Sequence, residues 1–150
     1  MRVWRITRSV HAAYPLSGEG AARSGNRWNS RGVRIGYTST SRPLAVLEML
    51  VHVAQESLPE DIVLIPIDVP GDLIVELETP PNNWNALPYS SQGRHTGDRW
   101  AHDKKSAALL VPSAVLAAEQ NLLINPLHPD FPKVKIHTPE THAIDRRLLK

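Results

Sequence analysis

The chain has 150 residues, the size of one ordinary domain, and no cysteine, which excludes disulfides, thiolate metal sites and cysteine nucleophiles. Seventeen Lys and Arg against fifteen Asp and Glu leave a net charge of +2, too weak a bias for a protein built around nucleic acid. No run approaches the ~20 apolar residues of a transmembrane helix and residues 1–6 carry no signal-peptide pattern, so the expected location is the cytoplasm.

Residues 2–7 alternate around Val3 and Ile6 and predict a short strand. Residues 15–32 hold Gly18, Gly20, Gly25 and Gly32 with little apolar periodicity and read as a loop. Residues 33–38 alternate again and predict a second strand. Ser41 is a plausible N-cap and Pro43 suits a first helical turn, so a helix is expected from there to about Gln55. It is apolar nearly all round and is expected to be buried. Residues 61–69 form a near-continuous apolar strand, and after the Pro70-Gly71 turn residues 73–77 form another.

Residues 79–96 read as a long polar connection of the kind that often carries function. Asp98 is expected to cap a helix running from Arg99 to about Ala108, followed by a strand at 109–111. Residues 121–132 read as turns or short helix, and residues 133–137 as a last strand. Short strands mixed with two or three helices predict a single α+β domain.

Eight arginines (2, 5, 8, 23, 27, 31, 34 and 42) lie in the first 42 residues, where the only acid is Glu19. That third of the chain looks built to meet an anion, because a guanidinium can grip phosphate bidentately. Arg5 lies on the first strand. Arg27 and Arg31 share the segment Gly25-Asn26-Arg27-Trp28-Asn29-Ser30-Arg31-Gly32 with glycines and hydrogen-bonding side chains. Between Pro43 and Ala54 the only polar side chains are Glu48 and His52, four residues apart and so on one helix face. A carboxylate on an apolar helix is costly unless it is paired or faces a cleft, which makes Glu48 the leading candidate for chemistry. Tyr37 could stack on a flat ligand. Ser113, in Val111-Pro112-Ser113-Ala114, could hydrogen-bond a sugar, although a turn serine has the same pattern. The seven histidines form no metal-ligand spacing.

In chain order these pieces resemble the RES domain, named for Arg, Glu and Ser and found in toxins of RES–Xre toxin–antitoxin pairs. The matching segments are VWRI around Arg5, PLSGEGA from Pro15, GNRWNSRG from Gly25, YTS from Tyr37, AVLE ending at Glu48, GDRW from Gly97, VPSA around Ser113 and NLLINPLHP from Asn121. Asn26 departs from the family, which often has a second glycine there.

The resemblance implies a fold like that of ADP-ribosyltransferase toxins, with small mixed sheets and a few helices. It implies breakdown of NAD⁺ at the nicotinamide–ribose bond, by phosphorolysis or hydrolysis, with an ADP-ribosyltransferase acting on a macromolecule as the alternative. By position, Glu48, Ser113 and Arg27 (or Arg5) match the name-giving residues, and Tyr37 matches the pocket tyrosine. Catalysis is thereby expected at Glu48, Arg27 and Ser113, and substrate binding at Arg5, Arg31, Tyr37 and Asn125. NAD⁺ is the substrate, with inorganic phosphate a candidate co-substrate, and no metal or further cofactor is implied. The expected partner is an Xre-type helix-turn-helix antitoxin, without direct nucleic-acid binding or membrane contact by this chain.

Overall fold

A computed structural model describes residues 1–149. In chain order it contains β1 (Arg2–Arg8), α1 (Glu19–Ser24), β2 (Gly36–Ser39), α2 (Arg42–Leu50), β3 (Ile62–Asp68), β4 (Ile74–Glu76), α3 (Ser91–Asp103), β5 (Ala108–Pro112), β6 (Gln120–Ile124), β7 (Lys135–Ile136) and β8 (Glu140–Thr141). The α+β class is as expected. The strands, however, join in one sheet of order β4-β5-β6-β2-β1-β3-β7, with β8 also on β3, rather than in several small ones. Its pairs are antiparallel except β4 with β5.

Strands β5 and β6 are interior strands buried on both faces, and their successive residues go to opposite sides. Leu122 and Ile124 join the core with Val3, Ile65 and Ile67 on one face. Leu123 joins Trp28, Ile35, Leu109 and Val111 on the other. A strand buried on both faces reads as an apolar run without alternation. That is why 121–124, short and followed by Pro126 and Pro129, did not read as the interior strand it forms.

Helix α3 begins at Ser91, ahead of the expected start at Asp98, and ends before Ala108. Ser90 is the N-cap, its Oγ accepting the Gly93 N–H at 3.0 Å. Asp98 sits mid-helix and accepts the Ser30 N–H at 2.8 Å. The helix has no apolar stripe because a loop lies against it. A Cβ on Gly97 would come within 1.7 Å of the Trp28 carbonyl oxygen, and one on Gly93 within 3.1 Å of the Arg27 carbonyl oxygen. The two glycines thus let the arginine-bearing loop rest on the helix backbone. Within the stretch expected to be loop, residues 19–24 form α1.

Helix α2 starts as expected: Ser41 Oγ accepts the Leu44 N–H at 3.2 Å. It stops at Leu50, well short of Gln55, where the β-branched Val51 and Val53 disfavour a further turn. The helix is not buried all round. Only Leu44 and Ala45 are, and Val51 is 57% exposed. Ala45, Glu48 and Met49 present a cavity wall on one side.

Gly97→Ala is expected to shift the 26–30 loop or lower stability by about 1–3 kcal/mol, as overpacking does. Thermal unfolding checks this, at roughly 2–4 °C per kcal/mol for a chain of this size.

Candidate active site

Strand β1 pairs with β3 along its whole length, from Arg2–Asp68 to Arg8–Ile62, but with β2 only at Trp4–Ser39. The two strands part beyond that point. Arg5 fills the opening, its Nη1 donating to the Tyr37 carbonyl at 3.1 Å. The guanidinium is buried, its Nε has no hydrogen-bond partner, and no carboxylate lies within ion-pair distance among the described residues. Burial pushes the Arg5 guanidinium below its ordinary range, the response of a cation that has lost water and gained no anion.

A cavity of about 620 Å³ lies where β1 and β2 part, within the range of small-molecule sites. Arg5, Tyr37 and Ser39 contribute from the strands, Ala45, Glu48 and Met49 from α2, His52 from the turn after it, and Asn121 from β6. The 79–90 connection closes another side with Asn85, Leu87 and Tyr89, so part of the long polar segment does reach the site. A second cavity of about 500 Å³ adjoins the first and shares Arg5, Asn26 and Tyr37 with it.

Glu48 is the centre of a hydrogen-bond network. Its Oε1 accepts from Ser113 Oγ at 2.7 Å and from Asn121 Nδ2 at 2.6 Å. Among the described residues no hydrogen bond reaches Oε2. Ser113 Oγ also accepts the N–H groups of Val115 and Leu116, both at 3.1 Å, so its own proton is committed to Glu48. Ser113 is 1% exposed, lies behind the cavity wall and spends its hydroxyl on the carboxylate. Asn121 is held in turn by Ser39 Oγ, which donates to Oδ1 at 2.8 Å.

Tyr37 is on the cavity wall, but its hydroxyl faces inward. It donates to Asn29 Oδ1 at 2.7 Å and accepts the Trp28 N–H at 3.2 Å. Burial pushes the phenol well above its ordinary range, so it stays protonated. Arg27 also lines the cavity, lying over the Tyr89 ring at 4.8 Å. Its Nη1 donates to the carbonyls of Trp84 at 2.8 Å and Ala86 at 3.2 Å, tying the 79–90 connection to the GNRWNSRG segment. Trp28 stacks on Trp84 at 5.8 Å in the same place.

Two expected binding residues are elsewhere. Arg31 is exposed and outside the cavity wall. Asn125 is 1% exposed and fully used by the fold: Nδ2 donates to the Ala101 carbonyl at 2.9 Å and Oδ1 accepts the Leu127 N–H at 3.0 Å. It ties the end of β6 to α3, and an asparagine before proline carries no sign of which task it has. Sequence reasoning missed Asn121, Ser39 and Trp4. Asn121 was detectable only once 120–124 is known to be a strand beside β2. Trp4 lines the cavity with Arg42 over its ring at 4.1 Å, where a packing role was expected. Among the described residues no three His, Asp or Glu side chains gather to hold a metal ion.

The RES domain family matches residues 2–146. The chain belongs to this family. A relative in Sphingobium sp. named Prs ADP-ribosylating toxin is 39% identical, the match covering 98% of this chain and 96% of the relative. A protein of Photorhabdus laumondii named Toxin Res is 39% identical over 100% of this chain and 98% of its own length. The fold is that of the toxin in the M. tuberculosis MbcT–MbcA toxin–antitoxin complex, with a TM-score of 0.76 at 22% identity over 99% of this chain and 86% of that one. Of the residues matched to the family's Arg, Glu and Ser, Arg5, Arg27 and Glu48 line the cavity and Ser113 hydrogen-bonds Glu48.

A buried cation without a counter-ion destabilises a fold, and apolar replacement of buried charge is often neutral or favourable. Arg5→Met is therefore expected to hold or raise the melting temperature, by up to several degrees. A clear fall in thermal unfolding would show that the guanidinium is structural.

Proposed function

We propose that this RES domain is the toxin of a toxin–antitoxin pair and depletes NAD⁺ by breaking the nicotinamide–ribose bond. The observation that carries this reading is the cavity itself. It sets one fixed carboxylate, Glu48, against the uncompensated guanidinium of Arg5.

NAD⁺ supplies both complements. Its pyrophosphate is the anion that Arg5 lacks, with Arg27 available on the opposite wall. Its glycosidic carbon becomes oxocarbenium-like as the bond breaks, and a carboxylate beside it stabilises that charge. Oε2 of Glu48 is the oxygen left to face the ribose, because Oε1 is occupied. Nicotinamide departs from a cationic ring as a neutral molecule, so it needs no general acid. The ring of Tyr37 offers a flat face for it.

Phosphate, water and a macromolecular side chain are competing acceptors. The name of the Sphingobium relative favours the last as a second reading. Against it, the residue two before Glu48 is Val46, so the cavity has no second carboxylate there to activate a protein acceptor. The partner we propose is an Xre-type helix-turn-helix antitoxin; the structural relative was solved as a toxin–antitoxin complex. The place of action we propose is the cytoplasm, where NAD⁺ is consumed, and no described helix is long and apolar enough to cross a membrane.

Purified protein incubated with NAD⁺, with and without phosphate, and followed by proton and phosphorus NMR tests the reading. Nicotinamide with a phosphorylated ADP-ribose only in phosphate marks phosphorolysis; nicotinamide with plain ADP-ribose in both samples marks hydrolysis. Intact NAD⁺ in both, with nicotinamide released and labelled ADP-ribose transferred only once a protein acceptor is added, would replace it by the transferase reading. Glu48→Gln is expected to lower kcat by about 10²–10³ or more, the scale of one lost preorganised contact, while the protein stays folded.

A further inference from the structure

The Glu48 network contains a residue with no assigned role. Resting on the NAD⁺-cleaving reading of the cavity, we infer that Asn121 is a positioning residue: held by Ser39, its amide aims the Glu48 carboxylate so that Oε2 is the oxygen left for the ribose.

An asparagine amide can turn over, exchanging its oxygen and nitrogen, and here the partners decide which way it lies. A serine hydroxyl can donate or accept, so Ser39 tolerates either orientation. Glu48 does not. With Oδ1 towards it, two acceptors would stand 2.6 Å apart. The anion therefore selects the orientation in which Nδ2 donates to Oε1, and Ser39 then donates to Oδ1 at 2.8 Å.

The selection works in both directions. A proton on Oε1 would meet an N–H from Asn121 and an O–H from Ser113, whose own acceptor capacity is taken by Val115 and Leu116. Two donors on Oε1 fix how the carboxylate lies and leave Oε2 as the reacting oxygen.

The helix alone does not fix this geometry. Glu48 has several rotatable bonds and stands on a helix whose fully buried residues are Leu44 and Ala45, near its start. The carboxylate is located from the sheet side instead. Asn121 pairs across β6–β2 with Ser39 and across β6–β5 with Val111. The strand's core contribution comes from Leu122, Leu123 and Ile124, so Asn121 is spare to the packing.

Asn121→Asp is the informative change. It keeps the shape and the Ser39 contact but sets a second carboxylate against Oε1. Two carboxylates that close repel, so the change drives the Glu48 side chain off its position. The other charged or titratable groups around Glu48 are His52 just after α2, Arg5 on β1, Tyr37 on β2, and Arg27 and Tyr89 on the facing wall. Among the described residues none of them hydrogen-bonds Glu48. Glu119, near the start of α2, is occupied by Ser41 Oγ at 2.7 Å. The variant leaves all of these unchanged.

The test has two readouts. In protein labelled with ¹³C at the glutamate carboxyls, with the Glu48 signal assigned by its loss in Glu48→Gln, the Glu48 carboxyl signal is compared between wild type and variants without substrate. In Asn121→Asp and Asn121→Ala it is expected to change its chemical shift, because the Nδ2 donor is gone. Asn121→Ala is expected to lower kcat by up to about 10²-fold with little change in KM, and Asn121→Asp by at least as much. Ser39→Ala is expected to cost less, and nothing further in the Asn121→Ala background, because it acts through Asn121. An unchanged Glu48 signal and unchanged turnover in Asn121→Asp would overturn the inference. If wild-type protein leaves NAD⁺ intact yet the carboxyl signal shifts in the variants, the substrate reading fails and the positioning role stands.

Discussion

The structure depends on one carboxylate being held from two sides. Glu48 belongs to a helix, and its hydrogen-bond donors belong to the sheet. Ser113 follows β5 and Asn121 lies on β6, so both bonds cross from the central strands to α2. Such bonds to a charged group are roughly twice as strong as neutral ones. They compensate a helix that has few buried residues and would otherwise rest on an open cavity. The interaction that readies the site for chemistry therefore also ties α2 to the domain.

The second constraint is the parting of β1 from β2. A continuous sheet would leave no room for a ligand at its centre. Here one register pair joins the strands, and Arg5 fills the gap left beyond it. Its cost is a buried cation without an anion, tolerable in a fold whose core spans both faces of β5 and β6. Strain of this kind belongs where binding can relieve it. Arg27 solves a different problem, since the carbonyls of Trp84 and Ala86 place the 79–90 connection over the cavity.

Much of this was legible in the residues. Glu48 stood out because a carboxylate on an apolar helix requires an explanation, and Ser41 announced the helix start. The RES segments pointed to Glu48, Ser113 and Arg27 (or Arg5) as one set. Legibility failed where a residue's task depends on what it meets. Asn125 and Asn121 lie four apart in one segment, yet one is locked into the fold by Ala101 and Leu127 and the other faces the carboxylate. Helix α3 was misplaced because its glycines are packing positions, which look like helix breakers until Trp28 is seen lying on them.

The sequence by itself determined the family, the α+β class, the absence of thiol chemistry and the few residues able to carry charge into an apolar setting. Those follow from residue types and their order. The tertiary structure alone decided which oxygen of Glu48 is occupied, that Ser113 serves the carboxylate, and that Arg31 and Asn125 stand away from the cavity. It also decided that Asn121 and Ser39 belong to the site. Hydrogen bonds are directional and short, and their partners here lie 65–82 residues apart in the chain. No local pattern encodes such a meeting; it exists only once β2, β5, β6 and α2 are packed together.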